Sequence, residues 1–289
     1  MNLGLKYDNI QLPQKVSDML EQDFWIINNV SPLMVKAITS PVKFSAYTSI
    51  FVSKGSCSAD INLIKYKITA PAIVNISSSH IMQPYDISED FCASFVVMSA
   101  RMRDAIVSHI ADLSLISRIA HTPVTLLNDE TCGPVAELYA NLMSISADTS
   151  IEHPFHTILY TLLAFFYRWG KTCYNHPKGY SHPHFANHTV EKFLRLVQEN
   201  FRKERFLDYY ADRLELTPKH LSRIIKQHTG FTAVEWINRY IILEAKVMLS
   251  STNMNVQQIA EELNFPSQSF FGKYFKKATG VSPKDFRNA

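Results

Sequence analysis

Apolar and polar positions alternate with a helical period between residues 217 and 230, "TPKHLSRIIKQHTG". Leu221, Ile224, Ile225 and His228 fall at i, i+3, i+4 and i+7 and make one largely apolar face. Lys219, Ser222, Arg223 and Lys226 share the same spacing on a polar, basic face. Thr217 before Pro218 suits an N-cap followed by a first-turn proline, and Gly230 suits a left-handed C-terminal stop. The pattern predicts a helix of about three turns with one face for burial and one for solvent or a partner.

The same phrase returns fifty residues on. Phe271, Tyr274, Phe275 and Ala278 form the apolar face, Ser269, Gly272, Lys273 and Lys276 the polar one, and Gly280 the stop. Each phrase also has a short helical pattern ahead of it. "YADRLEL" (210–216) matches "IAEELNF" (259–265), with Ala211 and Ala260 small where two helices would cross. The offset there is 49, so the second turn is one residue longer. Helix, short turn, polar-faced helix is the helix-turn-helix plan. An amphipathic repeat with a merely solvated basic face is the plainer alternative. Recurrence of basic residues at matched positions in both copies weighs against it.

Thr232 with Glu235, and Asn255 with Gln258, fit capping boxes between the copies. They predict a linker helix over 233–249, ~25 Å long at 1.5 Å per residue. With the turns at its ends, it could hold two polar helices near the ~34 Å spacing of successive major grooves.

The first hundred residues carry short runs of strand texture. "KFSAYTSIFVSKGSCSADINLIKYKI" reads as two β-rich runs in a hairpin about Lys54-Gly55; "AIVNIS" (72–77) and "DFCASFVVMS" (90–99) follow. In the last run Phe91, Ala93, Phe95 and Val97 share one face, the period of a half-buried strand. Such a series predicts a small barrel or sandwich. From about residue 101 the pattern turns helical. "IEHPFHTILYTLLAFFYRWGK" is apolar nearly all round, which predicts a buried helix and, over 157–168, a dimer contact. Residues 173–188, rich in Pro, Gly, Asn and His, read as a linker. "VEKFLRLVQENF" then opens a helical C-terminal part, with Val190, Phe193, Leu194, Val197 and Phe201 on one face. The expected domains are 1–172, a linker 173–188, and 189–289.

Charge sharpens this division. Residues 189–289 hold 16 Lys/Arg against 11 Asp/Glu, a net of +5, while residues 1–188 hold 13 against 15, a net of −2. A basic C-terminal third points to a polyanion. The composition, 46% hydrophobic and 19% charged, is that of a soluble protein. The longest apolar run, 158–167, falls short of the ~20 residues a bilayer needs. The first ten residues lack a signal-peptide pattern, so a cytoplasmic protein without a membrane partner is expected. Cys57, Cys92, Cys132 and Cys173 are scattered, as reduced thiols would be.

The run "LTPKHLSRIIKQHTG" through "IAEELNFPSQSFFGKYFKKATGVSPKDFR" resembles the DNA-binding domain of AraC/XylS-type transcription regulators over roughly 190–287. The resemblance implies an α+β chain. A cupin-like β-barrel with dimerising helices would precede an all-α domain of two helix-turn-helix units joined by a linker helix. It implies a homodimer that binds double-stranded DNA, acts on RNA polymerase, most often as an activator, and answers to a small-molecule effector. The family's DNA-reading positions fall on Lys219, Ser222 and Arg223, with Lys226 nearer phosphate, and on Gln268, Ser269, Gly272 and Lys273, with Lys276 flanking. Arg suits guanine O6 and N7, Gln suits adenine, and Lys suits guanine or phosphate. The family usually has Gly before the last apolar residue of the turn. Here it is Asn264, which also tolerates left-handed geometry. Gly272 offers no side chain to a base, so the second unit is expected to read fewer bases than the first.

Cupin-like barrels also house metal enzymes, which need clustered histidines. The barrel region has only His80, and His182, His184 and His188 lie in or beside the linker. Cys57 and Cys92 would form a redox pair only if close in space. No G-x-S-x-G nucleophile motif occurs. No catalytic residue, metal or cofactor is expected. A ligand-independent regulator, controlled by dimerisation or a protein partner, remains as a further reading.

Overall fold

In the computed structural model the described residues are 23–44, 46–77, 80–112, 115, 119, 122–174 and 188–288. They fall into two compact units. Most of the expected linker, with His182 and His184, lies outside the described residues.

The first unit carries β1 (Phe24–Val30), α1 (Pro32–Lys36), β2 (Val42–Lys43), β3 (Tyr47–Lys54), β4 (Ser56–Ile61), β5 (Ile64–Thr69), β6 (Ala72–Ile76), β7 (Ile81–Tyr85) and β8 (Cys92–Met98). Then come α2 (Ala100–His109), β9 (Val124–Leu126), α3 (Asp129–Ala147) and α4 (Pro154–Tyr174). The strands form a five-stranded sheet, β1-β8-β3-β6-β9, and a four-stranded sheet, β2-β7-β4-β5.

The expected hairpin at Lys54-Gly55 is not formed. β3 and β4 are consecutive in the chain but belong to different sheets. Gly55, at φ +71°, turns the chain out of one sheet into the other. A Cβ there would stand 2.4 Å from Ser88 Oγ and 2.7 Å from the Phe91 backbone, so only glycine fits this corner. The real hairpin joins β4 to β5 through Asn62 and Leu63, both left-handed (φ 48° and 68°), with Ile61 opposite Ile64. Positive φ at both central positions is the two-residue turn that matches strand twist. Leu63 gives no hint of it, because leucine seldom adopts that conformation.

β8 is not half-buried as its alternation predicts. It lies between β1 and β3 and has covered residues on both faces. Val96 and Met98 pack with Phe51, Ile73, Tyr139 and Leu142 against α2, α3 and α4. The other face of this sheet, with Ile50, Val52, Val74 and Ile76, and one face of the second sheet, with Cys57, Ala59, Ile61, Tyr66 and Ile68, are also buried. With helices on the opposite side, these two apolar faces cover each other. Ser99 caps α2 by accepting from the Met102 N–H, and Asn128 with Thr131 closes a capping box on α3.

α4 is buried on one side only. Ile158, Leu159, Leu162, Leu163 and Phe165 point inward, whereas Tyr160 and Tyr167 are 60% and 66% exposed. The window reads as apolar all round because tyrosine and alanine are tolerated at the solvent boundary. No helix among the described residues is long and apolar enough to cross a membrane.

The second unit holds α5 (His188–Asn200), α6 (Leu207–Arg213), α7 (Pro218–Thr229), α8 (Ala233–Ser251), α9 (Val256–Glu262), α10 (Gln268–Thr279) and α11 (Pro283–Asn288). The expected face of α5 is buried throughout, from Val190 to Phe201. α8 is more than a spacer. Trp236, Ile237, Tyr240, Ile241, Ala245 and Leu249 are buried, and it packs against α5, α7, α9, α10 and α11. Both copies of the repeat therefore share one core.

Candidate nucleic-acid interface

The two copies are built by the same local chemistry. α6 and α9 each end in a Schellman turn, in which the chain bonds back across a left-handed residue. Leu216 N–H donates to Ala211 O at 2.9 Å and Glu215 N–H to Asp212 O at 3.1 Å. In the second copy Phe265 N–H donates to Ala260 O at 2.7 Å and Asn264 N–H to Glu261 O at 2.9 Å. The left-handed residues are Glu215 (φ 57°) and Asn264 (φ 56°). Ala211 and Ala260 are buried, as their small size suggests.

α7 and α10 then start on hydroxyl caps. Thr217 accepts from His220 N–H and Ser267 from Phe270 N–H. Both stop at left-handed glycines, Gly230 (φ 78°) and Gly280 (φ 84°). The shared "TG" has a side-chain function as well. Thr229 and Thr279 donate across the glycine to the carbonyls of Phe231 (3.1 Å) and Val281 (3.0 Å). Thr229 also accepts from Trp236 Nε1 at 2.8 Å, which ties the end of α7 to α8.

The echo extends beyond the phrase. Thr232 and Ser282 both cap the next helix and bond the carboxylates of Glu235 and Asp285, again fifty residues apart. Both carboxyls are held below their ordinary values. The cause at Glu235 is the Thr232 N–H and hydroxyl, and at Asp285 chiefly the Ser282 hydroxyl. Each repeat is thus a helix-turn-helix plus the opening of a third helix.

Residue by residue, exposure along 221–230 is identical to that along 271–280. Leu221, Ile225, Phe271 and Phe275 are the buried anchors. Ile224 and Tyr274 are half-buried, the latter donating to Asn238 Oδ1 at 2.7 Å, with burial pushing its hydroxyl up to about 12. His228 and Ala278, expected on the apolar face, are exposed.

The nine sequence-predicted positions sort as follows. Lys219, Arg223 and Lys226 are exposed on α7, and Ser222 is half-buried at its flank. Gln268, Ser269, Lys273 and Lys276 are exposed on α10, and Gly272 is half-buried at the matching flank. A Cβ added at Gly272 would meet nothing within 4 Å, so no packing demands glycine there. At 100° per residue, the exposed surface also carries Gln227 on α7 and Lys277 on α10, with His220 and Phe270 at its edge, one turn before half-buried Ile224 and Tyr274. The sequence reading passed over these four, although the same helical arithmetic places them. His220 Nδ1 lies 3.2 Å from an Arg223 guanidinium nitrogen, which constrains that side chain.

The frame beneath is held by an ion pair the sequence does not advertise. Glu244 on α8 is buried and takes a short bond from Arg202, whose other nitrogen reaches Glu262 at 3.4 Å. A buried carboxylate needs such a partner, because removal from water favours its neutral form.

His80 is buried beside Ser77, whose N–H donates to its Nδ1 at 3.3 Å, and His188 is exposed. No group of three or more His, Cys, Asp or Glu among the described residues is placed to hold a metal. All four cysteines are free, and burial pushes the thiols of Cys57 and Cys173 up to about 11.

Comparison with known proteins bears on this unit. A family model described as a helix-turn-helix domain matches residues 210–289. The transcriptional activator AarP of Providencia stuartii is 34% identical over 113 residues, 38% of this chain and 84% of AarP. The arabinose operon regulatory protein of Escherichia coli is 30% identical over 107 residues, 37% of this chain and 36% of that protein. Four of the curated relatives are matched over only 13% to 36% of their own length. A crystal structure of fatty-acid-bound ToxT from Vibrio cholerae aligns over 92% of this chain and 93% of its own, at 16% identity and a TM-score of 0.43.

Proposed function

We infer that this chain, which belongs to the AraC/XylS-type family of helix-turn-helix transcription regulators, is a sequence-specific DNA-binding regulator acting as an activator. Residues 189–289 form the DNA-binding domain, 173–188 the connection, and 1–172 the sensing and dimerising domain. α7 and α10 enter successive stretches of major groove, and the bound protein acts on RNA polymerase. The observation that carries this reading is the identical exposure of two basic helices fifty residues apart, set on one core by α8. Lys219, Ser222, Arg223, Gln268, Ser269 and Lys273 then face base edges. Lys226 and Lys276 sit nearer phosphate, where they steer and grip without selecting sequence. The test is selection of bound DNA from a random pool by the purified full chain. Two enriched motifs spaced by one helical turn are expected. A pool that stays random at moderate salt would sink the proposal.

The N-terminal unit has two readings. As a cupin-like barrel it would hold a small-molecule effector between its sheets. As a ligand-independent unit it would act through dimerisation or a protein partner. The packing of the inner faces favours the second. Ala59, Ile61, Tyr66, Ile68 and Ile76 are at most 2% exposed, so these side chains are closely covered on the inner faces. Burial also raises the Tyr66 hydroxyl far above its ordinary value. The outer side of α4, with Tyr160 and Tyr167, is the face offered for dimerisation. Sedimentation of the full chain with both tyrosines changed to glutamate tests the reading of that face as the dimer contact. Loss of a dimer supports the reading, and an unchanged mass removes it.

A further inference from the structure

Phe270 is a large aromatic left 54% exposed in the first turn of α10, next to exposed Gln268 and Ser269. A lone exposed apolar residue needs no explanation in general. This one differs in two respects. It lies at the edge of the exposed face, one turn before Lys273, in the N-terminal part of the helix, where base edges are met. Its ring is also held in place. It sits 6.2 Å from the ring of Phe265, which is itself fixed by Phe271 at 5.2 Å and by the Arg205 guanidinium at 4.0 Å over its face. A ring braced in this way loses little freedom on binding.

In the major groove only one base presents an apolar group, the C5-methyl of thymine. We propose that Phe270 is a specificity residue of the second unit and reads a thymine methyl. The matching position of the first unit is His220, which instead touches Arg223. The second unit would then select by apolar contact where the first selects by hydrogen bonds.

This proposal rests on the DNA-binding reading, and its test keeps the two apart. A duplex enriched from a random pool is remade with each thymine in turn replaced by deoxyuridine, which removes the methyl and nothing else. Binding is measured for the full chain, Phe270→Ala and Phe270→Leu. One replacement should weaken the parent about fourfold, the worth of one buried methyl-sized group. The alanine variant should be indifferent to that replacement, and the leucine variant should keep part of the response. If every replacement affects parent and alanine variant equally, the methyl-reading role is overturned while DNA binding stands. If no duplex is enriched at all, the DNA-binding reading falls, and this proposal with it.

Discussion

α7 and α10 have one scaffold and two vocabularies. Their caps and left-handed glycine stops coincide at an offset of fifty, and so does exposure over 221–230 and 271–280. What differs lies on the surface and in the anchors. The first helix offers Lys219, Ser222 and Arg223 over a Leu221/Ile225 floor. The second offers Ser269, Gly272 and Lys273 over Phe271 and Phe275. The difference teaches that the repeat preserves the way a helix is presented and leaves free what the helix says.

The largest test concerns the anchors. Leu221 and Phe271 are both fully buried, and Phe271 also stacks on Phe265 and Phe275. Phe271→Ala should cost about 3–5 kcal/mol and Leu221→Ala about 2–5 kcal/mol, read by urea unfolding. A larger loss at Leu221 would show that the second unit relies less on its aromatic floor than its packing implies.

Next come the reading faces. Arg223→Ala should weaken the selected site by about 1–3 kcal/mol and relax one base position. Lys276→Ala should weaken all sequences nearly alike and lower the salt slope by about one. Equal behaviour of the two variants in a salt titration would erase the division between selection and grip. Gly272→Ala should then stabilise the isolated fold by about 1 kcal/mol in thermal unfolding, because the new methyl meets no neighbour and the helix gains propensity.

The left-handed turns should respond in opposite senses. Glu215→Gly relieves a strained residue and should add about 0.5–1 kcal/mol. Asn264→Gly relieves less and gives up the bond from Asn264 Nδ2 to Lys203 O at 3.2 Å, so it should be neutral or destabilising. Stabilisation by both would mean that the asparagine bond contributes nothing.

The smallest effect is that of the carboxylate caps. A carboxylate held below its ordinary value contributes stability that is complete above that value and fades as pH falls through the lowered one. Glu235, ordinarily at 4.5, should begin to lose its contribution at higher pH than Asp285, ordinarily at 3.8. Thr232→Val and Ser282→Ala should each flatten the acid limb of a melting profile.

Most of the second unit could be read directly from the chain, since its helices are short, capped and strongly two-faced. The capping boxes at Thr232 and Asn255 appear where the spacing placed them. The buried Glu244 escaped notice because its partner, Arg202, is 42 residues away on another helix. Phe270 was passed over because an aromatic next to Phe271 looks like core until its angle on the helix is counted. In the first unit, strand texture gave the strands but not their partners. A glycine between two β-rich runs suits a hairpin as well as a corner. Only the nearness of Ser88 and Phe91, more than thirty residues on, decides for the corner.

Gly272 also bears on how such a regulator changes its target. A Cβ placed there meets no neighbour and strengthens the helix, so the first step of retuning would meet no barrier from the fold. Elsewhere on α10 a new contact must replace an existing one. At this position a variant can acquire a preference first and lose an old one later, which keeps every intermediate functional. The gap in the second helix is, in evolutionary terms, the most open position for adopting new sites on DNA.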